Sequence, residues 1–569
     1  MAGGAPEGRP VAVVTGGGGG IGAAVAEELA RTGHHVVTVD PLVSLDGSEQ
    51  LPAPEETTAG RIVASGGSAR ASSLSVTDRH GIRALFAELF AEHGRLDAVV
   101  NVAGITRPTS FARGTDDDWR AVLDVHLGGY LNILEAALAI MAPAGRGAVL
   151  GVTSGGGWRP ADAGAYSCAK RAVAALTWQL GRCVPAGVSV NAMSPIAATR
   201  MVTAALARAG GRPPSPARGS SSSSSSATGG LSLSAMPSAE ELGPMGAHLA
   251  RSDRGWCRGQ VIFVGGSEIA VIDRPRLLEV FRTDPVASLA HLVSTASGAL
   301  ASAEATQATS GGSNPRFAGL FDATGEERAP GGVARAAVVS DRADLARAVS
   351  AALEARGIDC VPIQHDEGLG GVTFTMASER VAAAAELRGP LDAVVVAPAG
   401  ASAAAAEHEW ERVLADHTDV PSGIHADAAW TRAVADYAAR ADRPVRVVTL
   451  TDATTAGGRS RAQASAQLAR AGRGATGERV SAFSVNLETP ATVTDEVRTI
   501  AELVAHLATA DDALGLAGAE LVAGEGWLGL RGHPHPIGSI TFGGPAVPPW
   551  LDAALRDIID PVTGPGGAR

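Results

Sequence analysis

Cysteine is scarce in this chain of 569 residues, which contains only four, and none of them stands in a Cys-x-x-Cys pattern. Structural zinc sites and disulfide frameworks both need closely spaced cysteines, so the sequence predicts neither. We therefore expect four reduced thiols and no bound metal.

A surplus of positive charge is also missing. The 47 Lys and Arg residues are outnumbered by 59 Asp and Glu residues, which gives a net charge of −12 at pH 7. Nucleic acids and anionic membranes attract clustered cations, so neither is expected as a partner, and small molecules are favoured. The sequence has no run of 18 apolar residues and no secretory leader pattern, which leads us to expect a cytoplasmic protein.

What the chain has in quantity is small and apolar residues. Hydrophobic residues make up 45% and charged residues 19%, with 71 glycines, a composition that suits helices packed closely on a sheet. Because single hydrophobic cores stop growing near about 250–300 residues, the length predicts two domains.

The first motif is VAVVTGGGGGIGAAVAEELARTGHHVVTVD at residues 11–40, which predicts strand, tight loop, helix and strand. Gly16, Gly20 and Gly22 would let a pyrophosphate approach the helix N-terminus, where free N–H groups favour anions. Five consecutive glycines are also compatible with a merely flexible loop. Asp40 closes the second strand, where a carboxylate accepts the ribose hydroxyls of NAD and repels the 2′-phosphate of NADP.

Three further segments fit the same kind of sheet. RLDAVVNVAG predicts a buried strand that ends at Asn101, Ala103 and Gly104, beside the cofactor or simply in the core. VLGVTSGGG ends a strand near Ser154, and AYSCAKRAV begins a helix. This helix carries Tyr166 and Lys170 four residues apart, hence on one face.

Together these motifs resemble the short-chain dehydrogenase/reductase family over about residues 10–280. The resemblance implies that Tyr166 exchanges a proton with an alcohol or ketone, that Lys170 lowers the pKa of Tyr166, and that Ser154 holds the same substrate oxygen. A purely structural role for Tyr166 and Lys170 on their helix is the alternative. The resemblance also implies cofactor contacts at Thr15, Ile21, Ser75, Val76, Pro195, Ile196 and Thr199.

Two departures from the family pattern bear on its branch. His126 stands where the family usually has a relay asparagine, and Ile196 follows Pro195 where glycine is usual. The segments VHLGG and NAMSPIAATRM are similar to the 3-hydroxyacyl-CoA dehydrogenase domain of multifunctional enzyme type 2. His126 acts either in a proton relay or only in helix packing, and the sequence leaves both open.

The first domain is expected over residues 1–283, with a flexible Ser-rich insert at 209–231. That insert is either part of the substrate lid or a tolerated surface insertion. A linker rich in Ala, Ser and Gly is expected at 284–333.

Residues 334–569 repeat the plan in the same order, which predicts two tandem Rossmann-like, doubly wound parallel-sheet domains of the α/β class. The second copy is degenerate. Ser340, Asp341 and Arg342 replace the glycines, Asp452 stands at the Ser154 position, and Val396 or Ala397 replaces Asn101. Residues around Ala464 and Gln467 replace Tyr166 and Lys170.

These observations predict an NAD-dependent oxidoreductase that interconverts a secondary alcohol and a ketone, with a 3-hydroxyacyl thioester as one candidate substrate. A non-catalytic NAD-sensing scaffold and a ketoreductase of secondary metabolism are the alternatives. We expect one NAD per chain, two halves docked as a pseudo-dimer, and pairing of two such chains into a homodimer.

Overall fold

A computed structural model of the protein describes residues 8–159, 164–208, 236–282, 289–310, 332–363, 371–397, 403–477, 479–489, 494–544 and 546–560. The Ser-rich insert expected at 209–231 lies outside these residues. The described residues form two α/β units, each built on a mostly parallel sheet with helices on both faces. The predicted fold class is therefore confirmed.

The first sheet has nine strands in the order β17-β8-β7-β6-β5-β4-β1-β2-β3. Strands β1 to β7 pair in parallel, and β8 and β17 are antiparallel. Strands from the first half are β1 (Val11–Thr15), β2 (His35–Val39), β3 (Ser68–Ser72), β4 (Ala98–Asn101), β5 (Gly147–Val152), β6 (Val188–Pro195), β7 (Val261–Gly265), β8 (Glu268–Asp273) and β9 (Leu277–Arg282).

Among the described residues, eight α-helices accompany these strands. The apolar run of β1 is fully buried because helices cover both faces of the sheet. A single π-helical turn, Asp124–Gly128, joins the fourth and fifth helices. The helices are α1 (Gly20–Arg31), α2 (Thr58–Ala64), α3 (Arg79–His93), α4 (Asp116–Leu123), α5 (Gly129–Ala144), α6 (Ala165–Cys183), α7 (Arg200–Arg208) and α8 (Gly243–Leu249).

The second sheet has eight strands in the order β11-β10-β12-β13-β14-β15-β16-β9. Its strands are β10 (Arg335–Ser340), β11 (Asp359–Ile363), β12 (Ala393–Ala397), β13 (Val445–Asp452), β14 (Val480–Leu487), β15 (Glu520–Gly524) and β16 (Trp527–Arg531), and β17 (His535–Thr541) follows. Its helices are α9 (Leu289–Ser310), α10 (Ala343–Glu354), α11 (Phe374–Arg388), α12 (Glu409–Asp416), α13 (Val420–Ala441), α14 (Ala456–Ala475), α15 (Thr494–Thr509) and α16 (Leu551–Ile559).

The two halves exchange their last strands. Strand β9 leaves the first half and pairs with β16 at the edge of the second sheet. Strand β17 returns from the second half and pairs with β8 at the edge of the first sheet. Helix α16 follows it and buries Leu551 and Leu555 in the first half's core, so each half is completed by the other.

The linker expected at 284–333 contains a long helix. Helix α9 buries Leu289, Val293 and Leu300 in the core of the second half. Its sequence is rich in alanine, the residue with the highest helix propensity, which explains a helix where low complexity had suggested a spacer.

The halves also pack through helices α6 and α14. The Sγ atom of Cys168 contacts the carbonyl oxygen of Ala464, and Gln179 donates to the Ser460 hydroxyl. One apolar cluster runs through this interface and includes side chains of both helices, such as Leu176 and Leu468. The docking is therefore built from core contacts rather than from surface charges alone.

One helical stretch, Asp116–Ala144, meets the length and composition criteria for a membrane span, with a mean hydropathy of 1.4. It contains α4, the π-helical turn and α5, whose side chains Trp119, Leu127, Ile133 and Leu138 are fully buried in one hydrophobic cluster. A core helix meets the same criteria, so this stretch is weak evidence for a membrane span.

Candidate active site

The predicted site residues lie at one edge of the first sheet. Strands β1, β2, β4, β5 and β6 are parallel, so their carboxyl ends point the same way. In doubly wound sheets, ligands bind in the crevice at this edge, where the strand order reverses. The order reverses here between β1 and β4.

The glycine loop between β1 and α1 has the shape of a phosphate cradle. Gly16 has a φ of +64°, in the left-handed region that favours glycine. A Cβ atom on Gly22 would lie 2.1 Å from the Gly16 carbonyl oxygen, so the loop packs directly against the helix backbone and leaves no room for a side chain at Gly22. The N-terminus of α1 at Gly20 therefore presents free N–H groups to the crevice, as a pyrophosphate requires.

Asp40 closes β2 and faces this loop. One carboxylate oxygen accepts a hydrogen bond from the Gly18 N–H at 2.9 Å, and the other accepts from the Leu42 N–H at 2.8 Å. These two bonds fix the carboxylate beside the cradle. A dinucleotide's adenosine ribose would meet it there.

The end of β4 is tied to the end of β1. The Thr15 hydroxyl donates to the Asn101 side-chain oxygen at 2.8 Å and accepts from the Ala103 N–H at 3.3 Å. Gly104 packs against a histidine, because a Cβ atom there would lie 2.5 Å from the Cε1 atom of His126. These contacts give the Asn101 segment one fixed position beside the glycine loop.

Ser154, Tyr166 and Lys170 come together next to this segment. Ser154 follows β5, and Tyr166 and Lys170 share one face of α6. The Ser154 hydroxyl lies near that of Tyr166 and lowers its pKa. The Lys170 Nζ atom lies 5.7 Å from the centre of the Tyr166 ring and donates to the Val152 carbonyl oxygen at 2.6 Å.

Burial dominates the electrostatics of this group. It raises the pKa of Tyr166, which the Ser154 hydrogen bond opposes, and it lowers the pKa of Lys170 to about 7. Lys170 is also the only lysine in the chain; every other basic side chain except the histidines is arginine. An amine whose pKa lies near neutrality can change its charge there, which a guanidinium cannot do.

His126 lies in the π-helical turn, edge-on to Tyr166, with ring centres 5.1 Å apart. Its Nε2 atom is 2.8 Å from the Ile105 carbonyl oxygen, and its Nδ1 atom has no hydrogen-bond partner among the described residues. Burial and the Lys170 charge lower its pKa to about 3, so the ring is neutral near pH 7. The neutral ring therefore packs edge-on against Tyr166.

The remaining predicted cofactor contacts surround the same crevice. Ile21 is half-buried in the first turn of α1. The Ser75 hydroxyl is exposed and bonded to Thr77, whereas the Val76 carbonyl accepts from the Asn132 amide at 2.9 Å.

The crevice's far side is formed by the segment that follows β6. Pro195 ends that strand, and the Ile196 N–H donates to the Val264 carbonyl oxygen at 2.9 Å. Thr199 precedes α7, where its hydroxyl accepts from the Val202 N–H at 3.3 Å.

One cation beside the loop was missed from sequence. Arg200, the first residue of α7, is exposed, and its guanidinium would lie 3.7 Å from a Cβ atom on Gly19. No motif joins residues so far apart in the chain. Arg200 reaches the phosphate cradle because β6 and β1 belong to the same parallel sheet and end at the same edge.

In the part of the chain that the structure describes, the corresponding edge of the second sheet lacks these groups. The strand pairing places Ala397 opposite Ser340, as it places Asn101 opposite Thr15, so the asparagine is replaced by Ala397 rather than Val396. The Ser340 hydroxyl donates to the Ala397 carbonyl oxygen at 2.7 Å.

The loop before α10 differs in charge as well. The Arg342 guanidinium pairs with Asp344 in the first turn of that helix, where an acidic side chain opposes anion binding. Asp452 accepts from the N–H and the hydroxyl of Thr454 in a local turn. Ala464 and Gln467 are buried in α14 against the first half.

Comparison with known proteins agrees with this geometry. A model of the short chain dehydrogenase family matches residues 10–209. The short-chain reductase protein NovJ of Streptomyces niveus is 35% identical over 258 residues, 45% of this chain and 92% of the relative. A 3-oxoacyl-[acyl-carrier-protein] reductase of Synechocystis sp. is 34% identical over 188 residues, 32% of this chain and 72% of the relative.

A third relative, the acetoacetyl-CoA reductase of Cupriavidus necator, is 34% identical over 197 residues, 34% of this chain and 77% of the relative. Proteins of this family are oxidoreductases that use a nicotinamide cofactor to interconvert alcohols and ketones. With the glycine cradle, Asn101 and the Ser154, Tyr166 and Lys170 group at one sheet edge, the chain belongs to the short-chain dehydrogenase/reductase family.

Proposed function

We propose that the first half oxidises a secondary alcohol to a ketone, or reduces the ketone, with NAD as its cofactor. The observation that carries this proposal is the group formed by Ser154, Tyr166 and Lys170 beside the glycine cradle. A bound nicotinamide cofactor supplies or accepts the hydride.

The protein's own residues handle the proton. In oxidation, the Tyr166 phenolate takes the proton of the alcohol, and in reduction the Tyr166 hydroxyl returns it to the ketone oxygen. The Ser154 hydroxyl, which lies near that of Tyr166, is positioned to hold the same substrate oxygen. Charged Lys170 favours the phenolate, which burial alone would disfavour.

NAD is proposed over NADP because of Asp40. Its carboxylate is fixed beside the cradle by two backbone N–H groups, so it cannot easily turn away from a 2′-phosphate. Arg200 lies near Gly19 on the pyrophosphate side of the loop, and we propose that it binds the pyrophosphate.

A 3-hydroxyacyl or 3-oxoacyl thioester is the proposed substrate class. The VHLGG and NAMSPIAATRM segments resemble a 3-hydroxyacyl-CoA dehydrogenase domain. Two relatives are named for reducing 3-oxoacyl-[acyl-carrier-protein] and acetoacetyl-CoA.

We also propose that the second half binds no nucleotide and performs no chemistry. Pairing of two chains is proposed from the outermost strands, where β9 exposes Leu277, Leu278 and Val280 and β17 exposes Ile537. Exposed apolar side chains on edge strands favour association with a second copy.

The proposed reaction is tested by mixing the purified chain with acetoacetyl-CoA and NADH, and separately with NADPH, while following absorbance of the reduced cofactor. Tyr166→Phe should retain cofactor binding and lose about 10²- to 10⁴-fold in kcat, the usual effect of removing a general acid–base group. Tyr437→Phe is the matched control, because this buried tyrosine accepts a bond from the Leu391 N–H in the second half.

Two outcomes would contradict the proposal. Cofactor binding without turnover of this or other 3-oxoacyl thioesters, secondary alcohols and ketones would favour the NAD-sensing scaffold. Turnover that survives in Tyr166→Phe would show that another group moves the proton.

A further inference from the structure

The loop after Ser154 is a short 3-10 turn, Gly155–Gly157, that sits directly under the reacting groups. The Ser154 hydroxyl accepts a hydrogen bond from the Gly156 N–H at 3.2 Å. A Cβ atom on Gly156 would lie 3.6 Å from the Tyr166 ring and 3.7 Å from the Ser154 oxygen. Any displacement of the Gly156 peptide therefore moves the Ser154 hydroxyl relative to Tyr166.

A side chain from the second half holds this peptide. The Gln467 amide nitrogen donates to the Gly156 carbonyl oxygen at 3.3 Å and to the Arg159 carbonyl oxygen at 2.6 Å. Gln467 is only 1% exposed, so water does not compete for these bonds. Both acceptors are carbonyls, so only a side chain with two N–H donors serves here.

Other parts of the second half hold the opposite rim of the crevice. A Cβ atom on Gly472 would lie 3.1 Å from the ring of Phe111, in the segment before α4. The Arg432 guanidinium donates to the Gly114 carbonyl oxygen at 2.7 Å and stacks on Phe374. The degenerate copy thus contacts both loops that flank Ser154 and Tyr166.

We propose that Gln467 is a positioning residue for Ser154, acting through the Gly156 peptide. This inference rests on the proposed function, in which Ser154 holds the substrate oxygen. When the two copies are aligned, Gln467 stands near the position of Lys170. The second half has lost the lysine there, and the residue that replaces it supports the site of the first half.

The same interface offers a matched control. Gln179 on α6 donates to the Ala456 carbonyl oxygen and to the Ser460 hydroxyl, and it accepts from Arg459. Like Gln467, it therefore donates from its side-chain amide across the interface between the two halves. It lies 13 residues after Tyr166, which is about 20 Å along a helix, and touches no residue of the site.

The experiment compares Gln467→Met and Gln467→Glu with Gln179→Met in the full-length chain. Hydrogen–deuterium exchange of peptides covering residues 153–159 should speed up in both Gln467 variants and stay at the wild-type rate in Gln179→Met. Gln467→Glu keeps the shape of the side chain but replaces the donor with an acceptor facing two carbonyl oxygens, so its effect should be the larger.

Kinetics with acetoacetyl-CoA and NADH supply the second readout. Both Gln467 variants should lose on the order of 10- to 100-fold in kcat, as expected for a small misplacement of a reacting group, with KM for NADH unchanged. The Ser154 bond lowers the pKa of Tyr166, so loosening it should also move the decline of the reduction rate to higher pH. A merely structural role would leave this profile in place.

The two readouts separate the possible failures. Unchanged exchange at residues 153–159 in both Gln467 variants would overturn the inference, whatever the activity. Loss of kcat equal to that of Gln179→Met would do the same, because it would reflect general loosening of the interface. If exchange rises as expected but the wild-type chain turns over no substrate, the support of the loop stands and the proposed function fails.

Discussion

The Nζ atom of Lys170 donates a hydrogen bond to the carbonyl oxygen of Val152 at the end of β5. Lys170 is buried and is the only lysine of the chain, so ¹⁵N-lysine labelling places a single side-chain amine signal in the spectrum. We expect this signal to titrate near pH 7 rather than near the ordinary value of 10.5, because burial disfavours the ammonium. A midpoint above pH 9 would show that the amine is solvated.

The same group should make stability depend on pH. The pKa of Lys170 is about 7 in the folded chain and 10.5 when exposed, so between these values the unfolded chain binds more protons. The free energy of unfolding contributed by this group therefore rises as pH increases from 7 to 10.5.

Lys170→Met should remove that contribution, so its gain in stability over the wild type should be largest near pH 7 and shrink toward pH 10. Urea denaturation of both proteins across this range measures the difference. A difference independent of pH would mean that the pKa of Lys170 is the same in both states.

Removing the charge of Asp40 should weaken the preference for NAD. Asp40→Asn keeps an oxygen for one of the two backbone N–H groups and no longer repels a 2′-phosphate, so the ratio of kcat/KM for NADP to that for NAD should rise. Asp46→Asn is the control, because Asp46 is an exposed carboxylate bonded to Ser44 and Ser48. An unchanged ratio in Asp40→Asn would assign Asp40 to loop structure alone.

The chain should bind one cofactor, and only in the first half. A Cβ atom on Gly22 would lie 2.1 Å from the Gly16 carbonyl oxygen, so Gly22→Ala should distort the cradle and abolish binding. Titration calorimetry with NAD should give a stoichiometry near one for the wild type and for Arg342→Ala. Residual stoichiometric binding in Gly22→Ala would locate a site in the second half.

Local sequence was sufficient to predict the strands and the glycine loop. The run Val11–Thr15 is apolar throughout because both faces of β1 are covered, and the glycines follow at once. Most of the predicted site residues lie at the end of a parallel strand or in the loop or helix that follows it, so the fold class brings them to one edge, whereas His126 lies in the π-helical turn.

The contacts between segments far apart in the chain could not be predicted in the same way. Gln467 and Arg200 act on loops far away in the chain, and no local pattern marks which side chain reaches them. The strand exchange was equally hidden, because the composition of β9 indicates a strand but not which sheet edge it joins. The alanine-rich segment expected to be a linker forms helix α9 instead.

The exchanged strands tie folding to the completion of synthesis. Strand β8 ends at Asp273, but its neighbour β17 begins only at His535, so it leaves the ribosome roughly 260 residues later, on the order of tens of seconds at usual elongation rates. During that interval the nascent chain has no strand hydrogen-bonded to the outer edge of β8. This strand carries Ile269 and Val271, which are buried in the complete fold. Premature termination of synthesis would therefore release a first half whose sheet lacks β17. The complete fold of the first half depends on the last part of the chain to be synthesised.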